Sequence, residues 1–462
     1  MPVTKEILSA EARTYAVRQL ARRAGVSHEW FRTWRIEHAA ERTVVFPLAE
    51  RRRRITFNHA PGEYWEALRS GRFTVARASW PDTMRPGTPR DLPGFIIPFA
   101  DQPIEGPLFR IDENQAECAV DLLASLVLTL SRYEETLPGP RDRHGRFPAA
   151  ASLALQHDFA SRPVIDELGL AFQHSLQRLF PGWQPEPPRF RVNVTHDVDE
   201  IGLPFKVRIA ARRSVRGGPT TGVREVMAGF GARPSALSAV LDTARMARNR
   251  DLSCGVYWKA SPAGDFDSGY DMRDGRVDDV VQELSQSGVE LGVHPGYGTY
   301  LNRECLAEEI GRLRKVFGDV PLGGRQHFLR WSPQTWHDWE ACGLGYDSSV
   351  GFSECVGFRA GTCHPYRPWL FDQNREANLL EVPLIAMDCT LTGPMGLRGR
   401  QCLEPLVKCV ETCKSVGGVF TLLWHTDSIL EPVYEDAYER ILDVLAGKPG
   451  FDWQSALAEG YA

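Results

Sequence analysis

Apolar and polar positions change their rhythm near residue 188. Beyond it, short runs of period two alternate with stretches of helical period, the pattern of strands and helices built around a parallel sheet or barrel. FRVNVTHDVD opens the series, with Val192 and Val194 on one face and Asn193, Thr195, Asp197 and Asp199 on the other. RVDDVVQELSQSG reads as a helix, its stripe formed by Val277, Val280, Val281 and Leu284 and its stop by Gly288. VELGVHP is the strand that follows, Val289, Leu291 and Val293 opposing Glu290, Gly292 and His294. The same reading predicts a helix over 300–317, a strand near GGRQHFL and a helix at SPQTWHDWEACG. Strands at LGYDSSV, LLEVPLIAMD and GGVFTLLWHTD follow, with helices over 401–415 and 432–446. About seven strands in this length predict an α/β fold, a distorted (β/α) barrel, since such barrels take roughly 250 residues. The stretch 200–250 is too long for one connection and is expected to carry inserted helices at the barrel mouth.

Before residue 188 the pattern predicts a mixed α+β domain: helix over 1–40, short strands with turns over 43–110, and helices over 116–136 and 161–180. PGWQPEPPR at 181–189 has four prolines and no apolar periodicity, so it reads as a linker dividing a domain 1–188 from a barrel 189–462. The Arg51–Arg54 run reads as a solvated edge.

Composition narrows the function classes. With 462 residues, 43% hydrophobic and 24% charged, the chain is ordinary globular protein, not disordered or fibrous. Its 54 Lys+Arg against 59 Asp+Glu leave a net charge of -5, so no overall positive field exists to hold nucleic acid. The amino terminus lacks the apolar core of a signal peptide, and no run of 18 apolar residues occurs, which predicts a soluble, cytoplasmic protein. Ten cysteines without a C-x-x-C pair are expected as thiols, and Cys409 and Cys413 as core residues.

Polar residues gather at the predicted carboxyl ends of different strands: Asp197 and Asp199, His294, Arg325 and His327, Asp347, and His425. In an α/β barrel all strands deliver their last side chains to one mouth. Two carboxylates and up to three histidines there suit a divalent metal that takes oxygen and nitrogen ligands and leaves a position open for water.

These segments, Thr195-His196-Asp197-Val198-Asp199, His294-Pro295, Arg325-Gln326-His327, Tyr346-Asp347-Ser348-Ser349 and Leu422-Leu423-Trp424-His425, resemble in the same order the motifs of the polysaccharide deacetylase family, carbohydrate esterase family 4 and its relatives. The resemblance covers about 190–462, and GFRAGT at 357–362 is similar to a branch carrying an extra amino-terminal domain. It implies a distorted barrel and a hydrolase that removes N-acetyl or O-acetyl groups from a sugar or glycan precursor with a metal-activated water. By the resemblance Asp197 is the general base, Asp199 a metal carboxylate, His294 the first metal histidine, Arg325 the arginine that orients the base, and His425 the general acid. The chain departs from the family twice. Val198 separates the two aspartates, so their roles are exchangeable, and Gly298 stands where a second metal histidine is expected. His327 is the candidate replacement, and Asp347 a further candidate. Zinc is the first expectation for the metal, with nickel, cobalt or iron accepting the same set. Tyr297, Trp331, Phe358 and Tyr366 suit stacking on sugar rings, and at that spacing are at least as often ordinary packing. Gly298 also motivates a competing reading, a catalytically inactive barrel kept as a binding module; a third is a metal-dependent amidase on a non-sugar substrate. The oligomeric state is not legible.

Overall fold

The computed structural model describes residues 8–80, 94–201 and 236–458. The chain is a mixed α/β protein built on two principal sheets. The first is mixed, in the order Trp34–His38, Arg42–Pro47, Arg54–Asn58, Gln115–Cys118, Phe109–Ile111. Helix was expected through residue 40, but it ends at Phe31, and Trp34–His38 pairs antiparallel with Arg42–Pro47. The reason is tertiary: a β-rich neighbour offers its backbone groups partners that outweigh local helical preference. Conversely Gly62–Arg69 is a helix inside the stretch expected to hold only strands, burying Tyr64, Trp65 and Leu68. The expected helix over 116–136 begins late, because Gln115–Cys118 is a strand and Asp121 caps the helix Leu122–Leu130 by accepting from Ala124 N (2.9 Å). All nine residues of that helix are buried, which makes it the axis of the amino-terminal core.

The second sheet is entirely parallel, in the order Ala386–Met387, Val419–Leu423, Arg191–Val198, Cys254–Trp258, Glu290–Val293. Cys254–Trp258 was absent from the expected series; it lies immediately beyond the stretch read as an insert, of which 202–235 fall outside the described residues. Gly324 continues the sheet with parallel bridges to Val293 and Asp347, and Tyr346–Asp347 pairs with Leu380–Glu381. The full strand expected at GGRQHFL is reduced to that bridge. A Cβ at Gly324 would stand 1.8 Å from the Val293 carbonyl oxygen, so the backbones touch there only because the residue is glycine. LLEVPLIAMD, expected as one strand, is split around Pro383, which has no N–H to donate. Its first part pairs with Tyr346–Asp347 and its last with Val419–Leu423, and no continuous ladder closes a barrel among the described residues. The helix Gly275–Gln286 buries Val277, Val280, Val281 and Leu284, the stripe read from the sequence.

One contiguous apolar cluster runs from Leu8 to Leu445, through both halves of the chain. Buried polar contacts cross the same boundary: Arg23, paired with Asp166 at 2.8 Å, donates to Thr362, and Arg359 meets Glu135 in an ion pair at 2.6 Å. Residues 181–189 contain no helix or strand. Arg51, Arg52 and Arg54 are exposed, and Cys409 and Cys413 are core residues.

Candidate metal centre

A parallel sheet presents the carboxyl ends of all its strands at one edge, and period-two alternation selects which side chains arrive. Arg191–Val198 carries Asp197 and, one residue past its end, Asp199. Cys254–Trp258 is followed by Lys259, Glu290–Val293 by His294, and Ala386–Met387 by Asp388. His425 stands two residues beyond Val419–Leu423, and Arg325 and His327 follow the Gly324 bridge.

Asp199 is the hub. Its Oδ1 lies 3.2 Å from His294 Nε2, 3.2 Å from His327 Nε2 and 3.3 Å from Lys259 Nζ, and its Oδ2 lies 3.7 Å from His425 Nε2. Burial opposes its charge, but the Lys259 ammonium and the His327 ring outweigh that and hold the carboxyl well below the usual range. The other nitrogen of each ring faces a polar neighbour: His294 Nδ1 sits 2.7 Å from the Arg325 carbonyl oxygen in a hydrogen bond, and His327 Nδ1 pairs with the Asp267 carboxylate at 2.8 Å. His327 is raised despite its burial, because Asp199 and Asp267 favour the charged ring.

Two supporting pairs flank the hub. Arg325, fully buried, donates to Asp197 Oδ1 (2.9 Å), Thr195 Oγ1 (3.0 Å) and both the carbonyl (3.0 Å) and hydroxyl (3.1 Å) oxygens of Ser348. Asp197 Oδ2 is 3.5 Å from His294 Nδ1. His425 Nδ1 lies 2.6 Å from Asp388 Oδ1, and Asp388 also accepts from Ser428 Oγ and from His425 N. Burial alone would discharge His425, but the Asp388 carboxylate raises it well above its ordinary value. The Cys389 thiol lies 3.4 Å from the same Nδ1.

Residues 64–181 match a family of unknown function, DUF7033. None of the curated proteins matches the chain. The solved structures it is similar to include a protein described as a polysaccharide deacetylase from Mycobacterium smegmatis, at 15% identity, covering 60% of this chain and 91% of that one, with a TM-score of 0.41. Others are the PuuE allantoinase (17%, covering 60% and 92%, TM-score 0.41) and a protein described as a polysaccharide deacetylase from Pseudomonas aeruginosa PAO1 (18%, covering 59% and 90%, TM-score 0.40). No described helix is long and apolar enough to cross a membrane.

The residues anticipated from sequence divide in two. Asp197, Asp199, His294, Arg325, His327 and His425 stand together, whereas Asp347 is held by Ser349, which donates to it through N–H (2.9 Å) and hydroxyl, and lies beside Glu381 in the ladder. Burial there pushes Asp347 up to about 7. Trp331, Phe358 and Tyr366 are core residues, so of their two readings packing holds; of the four, Tyr297 stands partly exposed at the mouth, with Phe266 stacked on it at 4.2 Å. Lys259, Asp267 and Asp388 were missed. Asp388 ends a segment read as a strand and so carried the same strand-end signal as His294, Lys259 follows a strand that was itself not anticipated, and Asp267 sits in a loop.

The donor set fits a divalent cation. Asp199, His294 and His327 offer ligand atoms within 4.8 Å of one another. Asp199 Oδ1 and His294 Nε2 are buried and aimed at a common point, yet neither makes a hydrogen bond. Buried polar atoms left in this state call for a partner, and one cation would supply both. Gly298 contributes no side chain, although a Cβ there would meet nothing within 4 Å.

Proposed function

We propose that the chain is a metal-dependent hydrolase that removes an acetyl group from an N-acetylated or O-acetylated sugar or glycan precursor, working in the cytoplasm on a distorted (β/α) barrel. The observation that carries this reading is the convergence of Asp199 Oδ1, His294 Nε2 and His327 Nε2 without hydrogen bonds between them, at the carboxyl edge of a parallel sheet. The sugar and the acetyl group come from the motif resemblance.

Asp199, His294 and His327 would hold the ion, zinc first, with nickel, cobalt or iron acceptable to the same ligands. Bound there, it would polarise the acyl carbonyl and acidify a water. The chain's own residues supply the rest. Asp197, clamped by Arg325, takes the proton from the attacking water. His425, kept charged by Asp388, gives a proton to the departing amine or alkoxide, for which a protonated imidazole held in one orientation is suited. Lys259 faces Asp199 at 3.3 Å and would turn toward Asp267, 3.7 Å away, when a dication arrives.

Metal analysis of the purified protein with an acetate-release screen over N-acetylated sugars tests the reading. His294→Ala and His327→Ala should lose metal to a similar degree. Asp199→Asn should lose metal as well as rate, and Asp197→Asn should lose rate by about 10² to 10⁴ with metal retained. A protein that takes up no metal defeats the proposal; metal loss in Asp197→Asn but not in Asp199→Asn reverses the two roles.

A further inference from the structure

Among the residues that match the family of unknown function, the short loop 142–146 lies against the candidate centre. Asp142 builds it: its Oδ1 accepts from His144 N (2.8 Å) and Arg146 N (2.9 Å), its Oδ2 from Arg146 Nε (2.7 Å), and its own N–H donates to the Arg146 carbonyl (2.9 Å). The loop then fastens onto the turn His327–Leu329 and the residue after it in both directions. Arg146 Nη1 donates to the Phe328 carbonyl (2.9 Å), and Arg330 Nε donates to the His144 carbonyl (2.8 Å). The buried His144 ring packs against Phe328 at 4.8 Å and Phe266 at 5.5 Å, with Nδ1 3.2 Å from the Tyr297 hydroxyl.

The turn needs such a hold. Phe328 and Leu329 have φ of 60° and 51°, two successive non-glycine residues in the left-handed region. Such residues persist only where the surroundings over-determine them. His327, the third candidate ligand, is the first residue of this turn, and its ring lies 4.6 Å from that of Phe328. Relaxation of the turn would swing the imidazole away from Asp199.

We propose that the 142–146 loop is a clamp that presents His327 to the metal, so that the amino-terminal region completes the centre. Arg146 and His144 are positioning residues, with no contact to the reacting atoms required of them. The inference rests on the metal reading above.

The test is Co²⁺ affinity of the full chain by calorimetry, with circular dichroism to follow folding. Arg146→Ala should weaken binding about tenfold, the usual cost of losing a partner that orients a ligand. Adding Phe328→Gly should recover most of that loss, because glycine takes φ near 60° unaided, whereas general damage to the fold would not be repaired by a second truncation. If Arg146→Ala does not fold, Arg146→Lys serves, since one ammonium cannot span both Asp142 and the Phe328 carbonyl; it should show the same loss and the same recovery. Wild-type affinity in the Arg146 variant, or a loss that Phe328→Gly leaves untouched, overturns the clamp while His294→Ala still abolishes binding. A wild-type chain that binds no Co²⁺, or binding indifferent to His294→Ala, overturns the metal reading and the clamp with it.

Discussion

Arg325→Met removes a cation that is wholly buried and donates four hydrogen bonds. In its place Asp197, 1% exposed, keeps a carboxylate with no counter-charge from Arg325, and the Ser348 carbonyl loses its donor. Breaking a buried pair from one side costs about 3–5 kcal/mol, and each orphaned neutral acceptor adds roughly 1 kcal/mol, so a loss of about 5 kcal/mol is expected. That is a large fraction of the net stability of a folded domain, generally about 5–15 kcal/mol. Urea denaturation followed by tryptophan fluorescence reads it, since Trp258, Trp331 and Trp424 are all buried. The decisive comparison is a cycle of Arg325→Met, Asp197→Asn and the double variant. Neutralising both partners removes the uncompensated charge, so the double variant should be more stable than the sum of the single losses by roughly 1–3 kcal/mol. A single variant within about 1 kcal/mol of wild type, or strict additivity, would refute the account of Arg325 as the counter-charge that holds Asp197 in place.

Asp388→Asn should shift the alkaline limb of the rate profile to lower pH: Asp388 raises His425, the acid form is lost as pH climbs through that value, and without the carboxylate the loss comes earlier. An unmoved limb would separate His425 from proton transfer. Glu290, raised by burial to about 7 while its Oε1 accepts from Tyr346 (2.6 Å) and Trp453 (2.9 Å), favours the protonated fold. Its contribution is therefore full below pH 4.5 and lost as pH rises to about 7, a change of about 3 kcal/mol, which Glu290→Gln should abolish in thermal melts across that window. Identical pH dependence in the variant would rule Glu290 out as the source. The proposed division into 1–188 and 189–462 predicts that limited proteolysis cuts first between about 180 and 235; early cuts confined to 260–440 would place the boundary elsewhere.

Periodicity alone was enough to read the parallel, strand-then-helix character of the second half, because alternation in FRVNVTHDVD and the stripe of the 275–286 helix are local properties of the chain. The same alternation put Asp197, Asp199, His294 and His425 at strand ends, where a parallel sheet gathers them at one edge. What local pattern could not convey was which strand ends face one another. Asp388 carried the strand-end signal of His294 and Lys259 follows an unanticipated strand, yet only strand order sets them against His425 and Asp199. Gly324 reads as a strand residue in sequence, but only a bridge forms there, and His327, three residues on, faces Asp199. For Trp331, Phe358 and Tyr366 the pattern left stacking and packing both open, and burial decided for packing, since composition carries no information about depth. The grip of 142–146 on Phe328 joins residues about 180 positions apart. Contacts of that separation leave no periodic trace, because they arise when two independently patterned segments pack together rather than from the local order of either.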